Sequence, residues 1–467
     1  MKNRYGELAS NTVIFACSTL GAKLIMFFLL PLYTNKLSTS EYGTVELIIT
    51  GINLLTPILT LSLTDAILRF GLDNNYNHSQ VLKVSLCFLL CVSIIVFIGS
   101  PLINYYRPLK GYSWVFASTL VVFMFRSAFT FYLKSIDKNI LFAIDTLLYT
   151  LLLAILNVLF LVGYNLSVKG YMLSLIVAST FSMIFCSIVG KIPSALFSVK
   201  FDKNLLKQMI LYSSPLILNA ISWWITNSSD KYMLEFFCSE SEVGLYSAAG
   251  KIPALLSVVN SLFSQAWTLS SVKEYDSSAD RKFFSNVFKY YSMIMLLACS
   301  CILLIVKPFM EFYVGPEFRS AWLYVPVLLI SALFGGVSSF FGSMYVATKK
   351  NIRCTTSTLI CGCTNIIMNF ILIPRMGIMG AAIATAISYM VIGVYRMLDC
   401  QKAFFFYINY LKIGVCALIV VCEAILVIVS NYRYALSIIS ILIIALIYNH
   451  EIKECVVFLK KFIKKRY

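Results

Sequence analysis

Residues 81–103, VLKVSLCFLLCVSIIVFIGSPLI, carry one charge near their start, Lys83, and then run for twenty residues without another. About 20 mostly apolar residues are what a helix needs to cross a bilayer core, where a helix satisfies its own backbone hydrogen bonds. Similar windows flank this one at 12–33, 44–66, 113–134, 140–163, 170–190, 209–229, 244–268, 287–310, 321–346, 353–374, 378–398, 411–429 and 434–449. The pattern predicts an all-α, polytopic membrane protein with about fourteen transmembrane helices.

Composition agrees. The 467 residues are 60% hydrophobic and 13% charged, with a mean hydropathy of +0.84, whereas soluble domains are about 45–50% apolar and about 25% charged. Chain length alone does not hide that much apolar side chain from water. A soluble enzyme, a nucleic-acid-binding module and a disordered chain are excluded, although the net charge of +17 taken alone would suit nucleic acid.

Membrane topology accounts for the charge. With fourteen spans both termini share a side, and that side, with its loops, holds 26 basic residues against 9 in the opposite loops. Both termini are therefore expected in the cytoplasm. Met1-Lys2-Asn3-Arg4 precedes an apolar run that continues to Leu32 without a small-residue cleavage site, so an uncleaved first span is expected. The C-terminal Lys460-Lys461-Phe462-Ile463-Lys464-Lys465-Arg466 forms a basic tail suited to anionic membrane lipids. The fourteen cysteines sit largely in apolar windows as small hydrophobes, and with His78 and His450 as the only histidines a Cys/His metal site has no support.

Two local matches indicate an internal repeat. Ser40-Glu41-Tyr42-Gly43 reappears as Ser241-Glu242-Val243-Gly244, an offset of 201. Lys138-Asn139-Ile140 reappears as Lys350-Asn351-Ile352, and Asn157 matches Asn369, both at an offset of 212. Span 7 thus falls on span 1 and span 11 on span 5. An even number of helices per repeat gives both halves the same sense, related by an axis along the membrane normal. The expected organisation is an N-lobe over 1–200 (spans 1–6) and a C-lobe over 201–400 (spans 7–12). Spans 13 and 14 with the basic tail occupy 401–467. Pro57, Pro215, Pro253, Pro326 and Gly335-Gly336 place helix breakers at depth, as wet cavities tolerate and as membrane helices commonly carry.

Charges at mid-membrane are functional candidates. Lys23 in span 1, Arg126 in span 4 and Lys251 in span 8 suit a cationic cavity that replaces water around an anion, and Arg126 has an alternative as an ion pair with Asp145. Asp65 and Arg69 are candidates for coupling or gating, or, standing one turn apart, can simply pair with each other. Asp145 and Glu423 are candidates for exchanging a proton or binding a cation such as Na+, with pairing to another span as the alternative for Glu423. Asp230-Lys231 ends span 7 on the outer side, where a solvated pair is expected and a part in coupling or gating is the alternative. Asn219, Asn227, Trp223, Trp224, Gln265, Trp267, Asn365 and Asn369 suit sugar hydroxyls and ring faces, or equally interhelical hydrogen bonds and interfacial anchoring. No Gly-x-x-x-x-Gly-Lys-[Ser/Thr] motif is present, so no P-loop ATPase is built in, and no cofactor is expected.

Several segments resemble the polysaccharide flippase family of the multidrug/oligosaccharidyl-lipid/polysaccharide exporter superfamily. Ser10-Asn11-Thr12, Pro31-Leu32-Tyr33 and Leu37-Ser38-Thr39-Ser40-Glu41-Tyr42-Gly43 are similar to its opening segment, and Asp65-Ala66-Ile67-Leu68-Arg69-Phe70 to its second-span ending. Ser229-Asp230-Lys231-Tyr232 followed by Val243-Gly244-Leu245-Tyr246-Ser247-Ala248-Ala249-Gly250-Lys251-Ile252 is the most specific match, with Gly377-Ile378-Met379-Gly380-Ala381-Ala382-Ile383-Ala384-Thr385 the next. The resemblance covers spans 1 to 12, while spans 13 and 14 match in number alone. It implies export of a polyprenyl-diphosphate-linked oligosaccharide, such as an O-antigen or capsule unit, across a bacterial inner membrane by alternating access. It also implies work beside a polysaccharide polymerase and chain-length machinery. Lys23 and Lys251 stand where relatives carry cavity cations, and spans 13 and 14 in some relatives shape a groove for the lipid tail.

Rival expectations are a drug/cation antiporter or a peptidoglycan-precursor flippase of the same superfamily. The antiporter would favour acidic cavity residues. A membrane-embedded polymerase would need acid/base groups on the outer surface, and the chain has no long external loop or external histidine pair to supply them.

Overall fold

The computed structural model describes residues 18–73, 75–197, 199–277 and 280–464, and every regular element in them is helical. Among the described residues ten helices are long and apolar enough to cross a membrane, twelve if two bent pairs each count once. The chain is an all-α, multi-pass membrane protein. Contacts divide it into two compact units, 1–244 and 245–467.

In the first unit, helix α1 (18–28) continues through Leu29 into α2 (Leu30–Lys36). The start of the expected first span, with Met1-Lys2-Asn3-Arg4 and Ser10-Asn11-Thr12, lies outside the described residues. Helix α3 (Thr39–Leu59) opens on a capping box. Ser38 Oγ accepts from the Glu41 N–H at 3.2 Å, and the Glu41 carboxylate accepts from the Ser38 N–H at 2.9 Å. Such a cap is worth about 1 kcal/mol and fixes where the helix begins. The expected span 44–66 is broken, because Leu61 and Ser62 adopt left-handed φ values of 52° and 51° before α4 (Leu63–Gly71).

Helices α5 (His78–Gly99), α6 (Ser113–Ser135), α7 (Asn139–Asn157) and α8 (Ser167–Val189) follow. The α7 helix ends in a π-helical turn, Val158–Gly163. On α5, Leu90, Ile94, Ile95 and Ile98 are all exposed, an arrangement that lipid rather than water accommodates. Between the windows 170–190 and 209–229 lie α9 (Ile192–Phe197) and the start of α10 (Lys203–Ser213), capped by the Asp202 carboxylate. The expected span 209–229 is in fact a bent pair. Helix α10 meets α11 (Leu216–Phe237) at 41° beside Pro215, and the helix runs on past residue 229.

Helix α12 (Glu240–Ser277) leads into the second unit, where α13 (Arg281–Tyr313), α14 (Val325–Ala347), α16 (Tyr410–Val429) and α17 (Arg433–Ile447) pack on one another. Between α14 and α16, α15 (Asn351–Ala403) is two helices joined at Gly377, whose φ of 54° and ψ of −131° suit glycine and break the helix. A Cβ on Gly380 would lie 2.4 Å from the Leu372 carbonyl, so the chain folds back there instead of running straight. Helix α18 (Asn449–Lys464) turns 73° from α17 and opens with the polar run Asn449-His450-Glu451, past the last apolar window.

The second unit is centred on stacked aromatics. Trp267 lies 4.6 Å from Phe340 ring to ring, and Phe288 lies 5.0 Å from Phe341. Aromatic pairs at such separations stabilise by about 0.5–1.5 kcal/mol beyond their area.

Candidate functional site

Arg126 is neutralised within its own unit. Its Nη2 lies 3.4 Å from Asp145 Oδ2, and its Nε donates to Ser182 Oγ at 3.0 Å. Ser182 in turn donates to Asp145 Oδ1 at 2.6 Å, so each member of the triad holds the other two across α6, α7 and α8. The guanidinium also lies 3.6 Å over the Tyr149 ring. Asp145 is buried. Arg126 and Asp145 therefore take the ion-pair alternative, and neither is an unengaged cavity charge.

A second buried pair joins α3 to α11. Lys231 Nζ donates to Glu46 Oε2 at 2.7 Å, and the Tyr42 hydroxyl donates to Glu46 Oε1 at 2.9 Å. On the same seam Trp224 Nε1 donates to the Thr50 carbonyl at 2.8 Å and the Tyr232 hydroxyl to the Leu47 carbonyl at 3.0 Å. The expectation of a solvated Asp230-Lys231 pair is corrected: Asp230 is buried and Lys231 is committed to Glu46. Sequence reading missed Glu46, although an acid inside a predicted span was the available signal.

Asp65 and Arg69 do not pair. Arg69 reaches forward to Asp73 at 3.5 Å, and Asp65 is exposed on α4. Asp73 lies just past the end of α4, within reach of Arg69 in the helix's last turn.

The sugar-contact candidates separate into two groups. Trp267 is core, its Nε1 donating to the Phe340 carbonyl at 3.2 Å inside the aromatic stack. Asn369 is also core, donating to Asn365 Oδ1 at 3.0 Å, while its repeat partner Asn157 donates to the Leu153 carbonyl at 2.8 Å. Trp224 is held by its backbone acceptor. By contrast Asn219, Trp223 and Asn227 are exposed at four-residue spacing, one stripe along α11, and Gln265 is exposed on α12.

Of the cavity lysines, Lys23 is exposed on α1 and makes no hydrogen bond or ion pair among the described residues. Lys251 is half-buried on α12, two residues before Pro253. Glu423 is buried on α16, where Ser300 of α13 donates to its Oε2. Arg396, not among the candidates drawn from the sequence, is buried in the second half of α15. Its guanidinium donates to Ser357 Oγ at 2.8 Å, Thr358 Oγ1 at 2.9 Å and the Ser338 carbonyl at 3.1 Å. Among the described residues no three His, Cys, Asp or Glu side chains are placed to hold a metal ion.

The repeat motifs meet in space. A Cβ on Gly43 would lie 1.8 Å from the Glu240 carbonyl oxygen, and a Cβ on Gly244 would lie 2.0 Å from the Thr39 carbonyl oxygen. Residues 39 and 240, like 43 and 244, differ by the repeat offset of 201, so the two contacts are copies of one another.

The profile of the family described as polysaccharide biosynthesis protein matches residues 8–268, more than half of the chain, and the chain belongs to that family. The probable low-salt glycan biosynthesis flippase Agl15 of Haloferax volcanii is 26% identical over 208 residues, 44% of this chain and 43% of that protein. The probable flippase AglR of the same organism is 28% identical over 166 residues, 34% of each chain. The matched region thus spans less than half the length of these curated relatives. Among solved structures, the lipid II flippase MurJ in an inward closed conformation superposes with a TM-score of 0.71 at 12% identity, covering 94% of this chain and 100% of that one. An inward-facing multidrug resistance MATE family transporter of the MOP superfamily gives 0.69 at 16% identity, covering 83% and 94%. At such identities the likeness is one of fold, shared over most of the chain.

Proposed function

We propose that this member of the polysaccharide biosynthesis protein family is a flippase. Its cargo is a polyprenyl-diphosphate-linked oligosaccharide, moved from the cytoplasmic to the outer leaflet of a bacterial inner membrane by alternating access. Lys23 carries the reading. It is exposed on a helix expected to span the membrane, with no counter-charge among the described residues. A lysine at that depth requires a water-filled path rather than lipid, and an anion is what the path would carry. The exposed Asn219 and Trp223 on α11 support the same conclusion, because an exposed amide at depth favours a wet surface and suits sugar hydroxyls.

In this reading Lys23 and Lys251 face the diphosphate, Asn219, Trp223 and Gln265 face the glycan, and the Arg126 and Lys231 ion pairs brace helices. Outward movement of the diphosphate is favoured by about 2.3 kcal/mol per uncompensated charge per 100 mV of inside-negative potential. Glu423 is the candidate for a coupled H+ or Na+.

The lobes are spans 1–6 and 7–12 with spans 13 and 14 appended, and both termini are cytoplasmic. Fourteen spans result if α1–α2 form the first and α15 supplies two. The matched Gly43 and Gly244 contacts support a pseudo-twofold along the membrane normal, because contacts across such an axis come in pairs. Compact unit 1 takes in α11 because α3 and α11 are zipped by the Glu46–Lys231 seam.

The test is a gene-deletion strain assayed for surface glycan and for lipid-linked oligosaccharide facing the cytoplasm. Lost display with cytoplasmic-leaflet accumulation, restored by the wild-type gene, is expected. Unchanged display in a strain without a redundant flippase would reject the reading in favour of a drug/cation antiporter.

A further inference from the structure

A largely apolar cavity of about 180 Å3 with a few charged groups in its wall lies in the second unit, where the starts of α13, α16 and α18 converge. Lys289, Asn409, Lys412, Tyr448 and Glu451 contribute to its wall. Lys412 Nζ donates to Glu451 Oε1 at 2.7 Å and lies 4.2 Å over the Tyr448 ring. The other carboxylate oxygen, Glu451 Oε2, is buried without a hydrogen-bond partner, and the residue is 6% exposed. Lys289 is half-buried beside the cavity, its Nζ 3.8 Å from Glu454, beyond direct hydrogen-bond reach.

The cavity therefore offers an unused carboxylate acceptor and, in Lys289, an ammonium whose ion pair with Glu454 is too long to be a hydrogen bond. A simple anion would leave Glu451 Oε2 unsatisfied, and a simple cation would give Lys289, loosely ion-paired with Glu454, no hydrogen-bond acceptor. The complementary occupant carries both an N–H cation and an anionic oxygen. Its setting is the membrane boundary. Tyr407 and Tyr410 are exposed as interfacial aromatics are, and Leu411, Val415 and Leu418 form an exposed apolar stripe leading down α16 from the same place.

We propose that the cavity binds the headgroup of an aminophospholipid, an aminoethyl phosphate of the phosphatidylethanolamine type. The primary ammonium donates to Glu451 Oε2, the phosphate accepts from Lys289 Nζ, and an acyl chain follows the Leu411-Val415-Leu418 stripe. The site is separate from the path assigned to the glycan, so it stands or falls independently of the flippase reading.

The test measures thermal unfolding of the purified full-length chain in detergent, titrated with dihexanoyl phosphatidylethanolamine, phosphatidylcholine, phosphatidylglycerol or free phosphoethanolamine. Phosphatidylethanolamine should raise the midpoint at the lowest concentration. Phosphatidylcholine lacks the N–H donor and phosphatidylglycerol the cation, so both should fail. Lys289→Ala leaves the Lys412–Glu451 pair intact and should weaken the response about tenfold, the loss of one charged hydrogen bond. Glu451→Gln should also weaken it, and if that variant does not fold, Lys289→Ala decides. Equal responses to the three lipids, or a wild-type response from Lys289→Ala, would overturn the site. Free phosphoethanolamine acting as well as the lipid would overturn the acyl-chain assignment.

Discussion

Gly43 on α3 and Gly244 on α12 face one another so closely that neither position has room for a side chain. Each glycine lies against the backbone carbonyl of the residue just before the other's repeat motif, Glu240 for Gly43 and Thr39 for Gly244, and the two contacts match through the offset of 201. In an alternating-access cycle this crossing is a natural point of closure. Gly43→Val or Gly244→Val should separate the helix starts, leave the protein inserted and lower export at least about tenfold. A cysteine at position 240 should become more reactive to an impermeant thiol reagent in either variant, and unchanged reactivity and export would refute the closure.

Lys23→Ala and Lys251→Ala should each reduce export while membrane insertion is retained, and arginine at either position should restore part of the activity because the charge is kept. Export assays with quantified membrane levels check this. Wild-type export by both alanine variants would remove the cationic path from the account.

The Arg126–Asp145 pair is a brace. Removing one partner of a buried ion pair leaves the other uncompensated and costs about 3–5 kcal/mol, whereas replacing both with apolar residues is often close to neutral. Asp145→Ala should therefore lower the unfolding midpoint sharply, and the double variant Arg126→Leu with Asp145→Leu should recover most of it and retain export. A stable double variant without export would assign Arg126 to the transport path instead.

Glu451 gives a pH-dependent prediction. Burial acts to raise its carboxyl, but the hydrogen bond and charge of Lys412 outweigh that and hold it below the usual glutamate range. A lowered carboxylate stabilises the folded state above its unfolded pKa, and that contribution fades as pH falls through the folded value. The stability difference between wild type and Glu451→Gln should stay constant above about pH 5 and shrink below about pH 4. A difference that grew on acidification would contradict the pairing.

Much of the fold is legible because apolar windows declare membrane helices locally. Window boundaries failed where backbone geometry intervened, as at Leu61-Ser62, or where a helix was amphipathic, as in α10. The candidate site was less legible. Arg126 and Asp145 sit on spans adjacent in sequence, so their pairing could be anticipated. Glu46 and Lys231 are 185 residues apart and meet through tertiary packing that no local pattern encodes. Trp267 and Trp223 look alike in sequence, yet one fills an aromatic core and the other is exposed, since burial depends on the facing helices.

The most direct measurement reconstitutes the purified chain in liposomes holding a polyprenyl-diphosphate-linked oligosaccharide in the outer leaflet and follows its loss of accessibility to an added impermeant glycosidase. The account predicts transfer between leaflets by wild type and a marked slowing in Lys23→Ala. Liposomes whose glycan stays as accessible with the wild-type chain as without it would contradict the flippase assignment.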